Sequence, residues 1–187
     1  MLQSIQVQKK QKKLSVEERN YFVMTKNFDL QIGIDTGVNT GVAVWSCHKR
    51  QYIYLNTLKY VEAQEKVLQY KKEGWRICVR IEDARRRRIG ETKKQMYDRH
   101  AKGDYRTTEQ ISAAKAQGVG AVKQHAKLWE QFLEKHEIDF ILVAPRQNFT
   151  KTSNETFIKF TGIDSVKLLG KVKSEHARDA AMLVLDR

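Results

Sequence analysis

Between Leu30 and Glu82 the chain sets out three short strand-like runs, a helix and a fourth run, an order that leaves few topologies open. Leu30–Asp35 is the first run. Thr36-Gly37-Val38-Asn39-Thr40-Gly41 reads as a turn, with two glycines and an asparagine that tolerate positive φ. Residues 42–47 return as a second strand. Gln51–Lys59 alternates Tyr52, Tyr54 and Asn56 against Ile53, Leu55 and Thr57 and makes a third. Short strands joined by tight turns form an antiparallel meander. Residues 61–73 read as a helix, with Val61, Val67, Leu68 and Tyr70 as inward candidates, and residues 77–81 as a fourth strand. A crossover through a helix returns parallel and right-handed, so the fourth strand is expected beside the first. Asp35 and Glu82 then reach the same edge of the sheet, outside the carboxyl ends of the strands, where α/β sheets gather ligands.

The rest of the chain extends an α/β pattern. Residues 85–106 are polar, residues 108–135 read as a helix whose first half is small (Ala113, Ala114, Ala116, Gly118, Gly120, Ala121), and residues 138–143 form a fifth strand. Residues 150–161 read as a short helix. Residues 166–172 fit a helix or a loop with Leu168 and Leu169 packed. Residues 174–185 form a closing helix. At the other end, residues 1–13 form a Gln- and Lys-rich arm, and Ser15-Val16-Glu17-Glu18 fits a capping box that opens a helix through Met24. Residues 1–27 are therefore expected to be a basic extension, partly helical or mobile, and residues 28–187 one folded domain. No internal repeat is visible.

A chain of 187 residues supports one domain with a full core. Its 35 Lys and Arg against 22 Asp and Glu, a formal charge of +13, mark a surface that attracts polyanions, nucleic acid first among them. Cys47 and Cys78 lie in apolar stretches and read as buried, reduced thiols, with no metal-ligand or Cys-x-x-Cys spacing. No apolar run has the length of a membrane span. A cytoplasmic protein is the expectation; a mitochondrial transit peptide is the weaker reading, because Glu17 and Glu18 interrupt the basic N-terminus.

Four side chains at the ends of apolar segments carry the chemistry: Asp35, Glu82, and the pair His176 and Asp179 at the head of the closing helix. Asp35 is equally a turn residue, and Asp179 near a helix start equally a partner of the dipole. Glu82 is harder to explain that way, since Glu is disfavoured in strands. His176 and Asp179 share a helix face that also carries Ala180, and inward polar groups need partners. Three carboxylates suit Mg²⁺. Two such ions about 4 Å apart activate water and stabilise a leaving oxygen, with Asp35 as the bridge. His176 leans the choice toward Mn²⁺ or orients the attacking water. Asp83 falls on the opposite side of the strand from Glu82 and reads as a supporting residue or an ion-pair partner for the arginines that follow. The segment after it holds nine cations, Arg85, Arg86, Arg87, Arg88, Lys93, Lys94, Arg99, Lys102 and Arg106, against three acids. It reads as a solvated loop or as a flap that grips DNA phosphates, with Tyr97 and Tyr105 available to stack on bases.

Gly33-Ile34-Asp35-Thr36-Gly37 followed by Thr40-Gly41-Val42-Ala43, then Ile81-Glu82, Ala116-Gln117-Gly118-Val119-Gly120-Ala121-Val122, Pro145-Arg146-Gln147 and His176-Ala177-Arg178-Asp179-Ala180-Ala181, taken in order, resemble the RuvC-type Holliday-junction resolvases. The resemblance covers about residues 28–185. It implies an RNase H-like fold: a five-stranded mixed sheet, three antiparallel strands then parallel ones, with helices on both faces. It implies a crossover junction endodeoxyribonuclease that uses Mg²⁺ or Mn²⁺ to nick four-way or other branched DNA, with Asp35, Glu82, His176 and Asp179 as catalytic and metal-binding residues. It also implies a homodimer, with Ala114, Gly118 and Ala121 at or near the contact, a symmetry that suits two equivalent strands. Relatives carry an aromatic residue shortly after the second carboxylate, where this chain has Arg85-Arg86-Arg87-Arg88. Competing readings are a nuclease of the same fold acting on flaps or RNA–DNA hybrids, a junction-binding protein without catalysis, and an actin-like phosphate-binding half, for which the chain is too short.

Overall fold

The computed structural model describes residues 15–24, 26–83, 85, 100–103, 123–144 and 152–185. Their order is α1 (Val16–Met24), β1 (Leu30–Asp35), β2 (Asn39–Ser46), β3 (Gln51–Lys59), α2 (Tyr60–Lys72) and β4 (Ile77–Glu82). A helix α3 over residues 123–135, β5 (Asp139–Val143), α4 (Asn154–Thr161), α5 (Ser165–Leu169) and α6 (Lys171–Met182) complete it. The sheet runs β3-β2-β1-β4-β5. β1, β2 and β3 are antiparallel neighbours, β4 is parallel to β1, and β5 is parallel to β4. This is the five-stranded mixed sheet of an RNase H-like arrangement, as expected.

Period-two alternation divides the sheet's side chains between two cores. On one face Leu30, Ile32 and Ile34 of β1 join Ile77, Val79 and Ile81 of β4 beneath Ala63, Val67 and Tyr70 of α2 and Trp129 and Leu133 of α3. Trp129 is fully buried and meets Tyr60 and Phe132 edge-on, with ring centroids 5.6 and 5.5 Å away. Val61, read as an inward residue of α2, is 60% exposed, because the helix turns Ala63 and Val67 to the sheet instead. On the other face Ala43, Trp45 and Leu55 pack under Ala177, Ala180, Ala181 and Val184 of α6 and its following turn.

The ends of several elements differ from the sequence expectation. β2 begins at Asn39, so Thr40 and Gly41 are strand and not turn, and Gly41 pairs with Asp35. Gly37 and Gly41 are not among the positive-φ residues. The uncertain stretch 166–172 resolves into two helices separated by Gly170, whose φ of 77° interrupts the helical path. α6 consequently starts three residues earlier than expected. His176 and Asp179 therefore lie well inside the helix, where its dipole offers Asp179 little. Ser153 caps α4 by accepting from the Thr156 N–H.

The helix expected within the N-terminal extension is part of the folded body. The Ser15 N–H donates to Glu18 Oε2 at 2.8 Å and the Glu18 N–H to Ser15 Oγ at 3.2 Å, a reciprocal capping box. Asn20 Nδ2 donates to the Leu142 carbonyl and Asn20 Oδ1 accepts from the Leu142 N–H. α1 thus satisfies backbone groups on the edge strand β5 that would otherwise invite pairing with another chain. Cys47 and Cys78 are free thiols, and burial pushes Cys78 up to about 12, which leaves it inert as a nucleophile. No helix among the described residues is long and apolar enough to cross a membrane.

Candidate functional site

The site is set by how closely α6 lies on the sheet. A β-carbon added to Gly33 would fall 2.0 Å from the Ala180 carbonyl oxygen, and one added to Gly41 would fall 1.9 Å from that of His176. Both obstacles are helix backbone. These two strand positions accept nothing larger than hydrogen because α6 rests directly on β1 and β2 there. Asp35, at the carboxyl end of β1, lies on the same face as Gly33 and opposite Gly41 in the register. The helix therefore delivers its side chains to Asp35.

His176 Nδ1 lies 2.8 Å from Asp35 Oδ2. Asp35 is largely buried, with 17% of its side chain exposed against 42% for the imidazole. The Asp35 hydrogen bond is the main force raising the His176 pKa; partial burial opposes it, and the charge of Asp35 adds to it. A histidine whose proton is held more tightly in the folded state contributes stability below its ordinary value near 6.5, and that contribution disappears as pH rises through the raised value.

Asp179 sits one turn further along α6 and accepts the Thr152 N–H on Oδ1 at 3.2 Å. Burial, and then the nearby charges of Asp35 and Glu175, push its carboxyl up to about 6 against the pull of that hydrogen bond. Arg178 is buried and holds the other side of the same residue. Its Nε donates to the Thr152 carbonyl at 2.8 Å and one terminal nitrogen donates to Ser165 Oγ at 3.1 Å. Consecutive residues of α6 thus clamp both polar groups of the Thr152 backbone. The sequence reading missed Thr152 and Arg178. It also read Gly41 for its φ freedom, although a glycine inside a strand is itself a signal of close backbone approach.

Glu82 is the last residue of β4. The parallel register pairs Ile34 with Ile81, which sets Glu82 next in line beside Asp35 on the same face. Asp83, the following residue, is 3% exposed and turns the other way. It holds Arg85: Nε donates to Asp83 Oδ1 at 2.6 Å, and Nη1 reaches Glu130 Oε2 at 2.7 Å. Arg85, read as a phosphate contact, is thus committed to two carboxylates and ties the end of β4 to α3. Lys102 is exposed. Arg86, Arg87, Arg88, Lys93, Lys94, Arg99 and Arg106 lie outside the described residues, as do Tyr97, Tyr105, Ala114, Gly118 and Ala121.

Among the described residues no three His, Cys, Asp or Glu side chains converge as a ready metal-holding group. The donor set is still of the right kind for a hard divalent ion. Asp179 is burdened by burial and by the charge of Asp35, a strain that a cation between the carboxylates would relieve. The acid's raised pKa also has a measurable cost in the metal-free protein. The folded state holds this proton more tightly than the unfolded state does, so stability falls as pH rises from about 4 to about 6. Asp179→Asn removes the charge and keeps an oxygen for the Thr152 N–H. Discounted for partial exposure, the gain at neutral pH is about 1–2 kcal/mol, roughly 2–8 °C in Tm for a chain of this size. Thermal melts in chelator at pH 4 and pH 7.5 check this; the gain is expected at pH 7.5 and absent at pH 4.

No protein-family model, curated protein or solved structure matches this chain.

Proposed function

We propose that the protein is a metal-dependent endodeoxyribonuclease that nicks four-way junctions or other branched DNA, in the manner of the RuvC-type resolvases it resembles. One observation carries the reading. A strand-end carboxylate, Asp35, is hydrogen-bonded by His176 and lies close enough to Asp179 for its charge to be felt there, both from a helix seated directly on the sheet, with Glu82 next in register on the neighbouring parallel strand. The chain's charge of +13 supports a polyanionic substrate.

In this reading Asp35, Glu82 and Asp179 supply the oxygen ligands, with Asp35 placed between the other two acids. Bound Mg²⁺ or Mn²⁺ supplies Lewis acidity toward the phosphate and makes water a nucleophile at neutral pH. The protein's own contribution is position and electrostatics. Asp179, whose carboxyl burial pushes up to about 6, would serve as a ligand in its deprotonated form. Thr152, clamped by Arg178, fixes the carboxylate's orientation. His176, held by Asp35, orients the attacking water or takes its proton. A homodimer would present two such sites to the two equivalent strands of a junction.

The test is a comparison of labelled four-way junction, flap, RNA–DNA hybrid and plain duplex, each with Mg²⁺ or Mn²⁺. The expected result is nicking of the junction that stops with EDTA and returns with added ion. Preference for flap or hybrid would retire the junction assignment. Cutting unaffected by EDTA would remove the metal centre, and tight junction binding without nicking in either ion would make this a binding protein.

A further inference from the structure

One rung of the sheet links the site to a basic surface that the chemistry above does not use. Asp35 pairs with Gly41, and Gly41 pairs with Thr57 on the edge strand β3. α6 crosses this rung residue by residue. Thr57 Oγ1 donates to the Lys173 carbonyl at 2.5 Å, the His176 backbone lies on Gly41, and the His176 ring reaches Asp35. With strands spaced about 4.8 Å apart, the Lys173 end of the rung lies roughly 10 Å from Asp35. Lys59 follows Thr57 by two residues on the same face, with Nζ 2.9 Å from Asn39 Oδ1. Lys59, Lys171 and Lys173 are all exposed.

The stretch Ser165–Ser174 carries three lysines and no acid. The acids nearby are engaged elsewhere. Glu62 accepts the Lys59 N–H to cap α2, and Asp164 accepts from the Val166 and Lys167 N–H groups to cap α5. Glu175 is half-buried beside the site. Lys171 stands two residues from Lys173 and so leaves α6 on its other flank. Among the described residues Lys59 and Lys173 have no carboxylate partner, and two such ammonium groups about two strands from Asp35 are a poor stabiliser of this fold and a good match for a second polyanion chain.

We propose that Lys59 and Lys173 form a phosphate-gripping strip that holds the DNA backbone adjacent to the strand segment lying over Asp35. The inference rests on the nuclease reading and names where its substrate lies: across the β3 edge and the start of α6. Each Lys–phosphate contact releases counterions and adds about 0.9 to the slope of log affinity against log salt.

The experiment measures binding of fluorescent four-way-junction DNA to the full-length protein, in chelator, by anisotropy at several NaCl concentrations. Three proteins are compared: wild type, K59E/K173E, and K49E/K72E. The last carries the same charge change at exposed positions on the opposite end of the sheet. K59E/K173E is expected to lower the salt slope by about 2 and affinity on the order of 10-fold, with K49E/K72E within about 3-fold of wild type by the same reasoning. K59Q/K173Q, with its Tm checked, is expected to show a smaller loss of the same sign. Equal effects from the two reversed pairs overturn the strip while leaving the nuclease reading intact. Failure of the wild type itself to bind junction DNA overturns both.

Discussion

Gly41→Ala is expected to unseat α6 and with it the candidate site. The added β-carbon would stand 1.9 Å from the His176 oxygen, 2.4 Å from its carbonyl carbon and 3.1 Å from the Ala177 nitrogen. None of these is the tip of a side chain that could swing aside. Ordinary contact requires the helix to withdraw by more than an ångström, and its buried Ala177, Ala180 and Ala181 withdraw with it. Overpacking usually costs 1–3 kcal/mol, and backbone obstruction places this case near about 3. That is a large share of a typical total of roughly 5–15 kcal/mol, and for this chain length it corresponds to a Tm loss of about 6–12 °C. Activity is expected to fall further than stability, because a misplacement of about 1 Å in a reacting group costs on the order of 100-fold. Gly33→Ala should behave alike, since its obstacle is the Ala180 carbonyl at 2.0 Å. Gly37→Ala serves as the control: its β-carbon would meet the Asn39 oxygen at 3.3 Å and the Asn39 nitrogen at 4.0 Å, and nothing of α6. Thermal melts and nicking rates of the three variants decide the matter. Gly41→Ala with wild-type stability would mean that α6 does not lie where it is described.

Asp35→Asn is expected to do the reverse, leaving the fold and removing the chemistry. The amide matches the carboxylate in size and retains a hydrogen bond to the imidazole, so α6 stays seated. What disappears is a negative charge at the point where the cation must bind. Loss of about 10³-fold in nicking is expected, the scale on which removal of one preorganised electrostatic group is felt. Junction affinity in chelator should hold or rise slightly, since one negative charge near the phosphates is gone. A second readout is independent of activity: because the Asp35 hydrogen bond is the leading cause of the raised His176 pKa, the imidazole of the variant should titrate at lower pH, as followed by NMR. Nicking within 10-fold of wild type would take Asp35 out of the proposed role.

How much of this was readable beforehand differs by residue. The strand order, the parallel placement of β4 beside β1 and the arrival of Asp35 and Glu82 at one edge follow from local periodicity and the handedness of crossovers. Asp83 was legible as an ion-pair partner of the arginines, and Arg85 now holds it. The same arginine was read as a DNA contact, because a run of cations looks uniform in sequence. Glu130, 45 positions away, sets Arg85 apart from the rest of the run. The start of α6 is not fixed by sequence because Gly170 within 166–172 reads either as a loop residue or as an interruption of a helix, and only its backbone, with φ of 77°, shows that one helix ends and the next begins there.

The amino-acid sequence on its own determined the alternation of each strand, the cap of α1, and the placement of an acid at the end of β1 and of β4, since each depends on neighbours within a few positions. Tertiary structure decided the rest: that Gly33 and Gly41 admit α6 to contact distance, that His176 meets Asp35 across 141 positions, and that Asp179 and Arg178 clamp Thr152. The physical reason is range. Periodicity and capping are local properties of a chain, whereas the gap between a helix and a sheet is set by everything packed between them, and here that is two missing side chains.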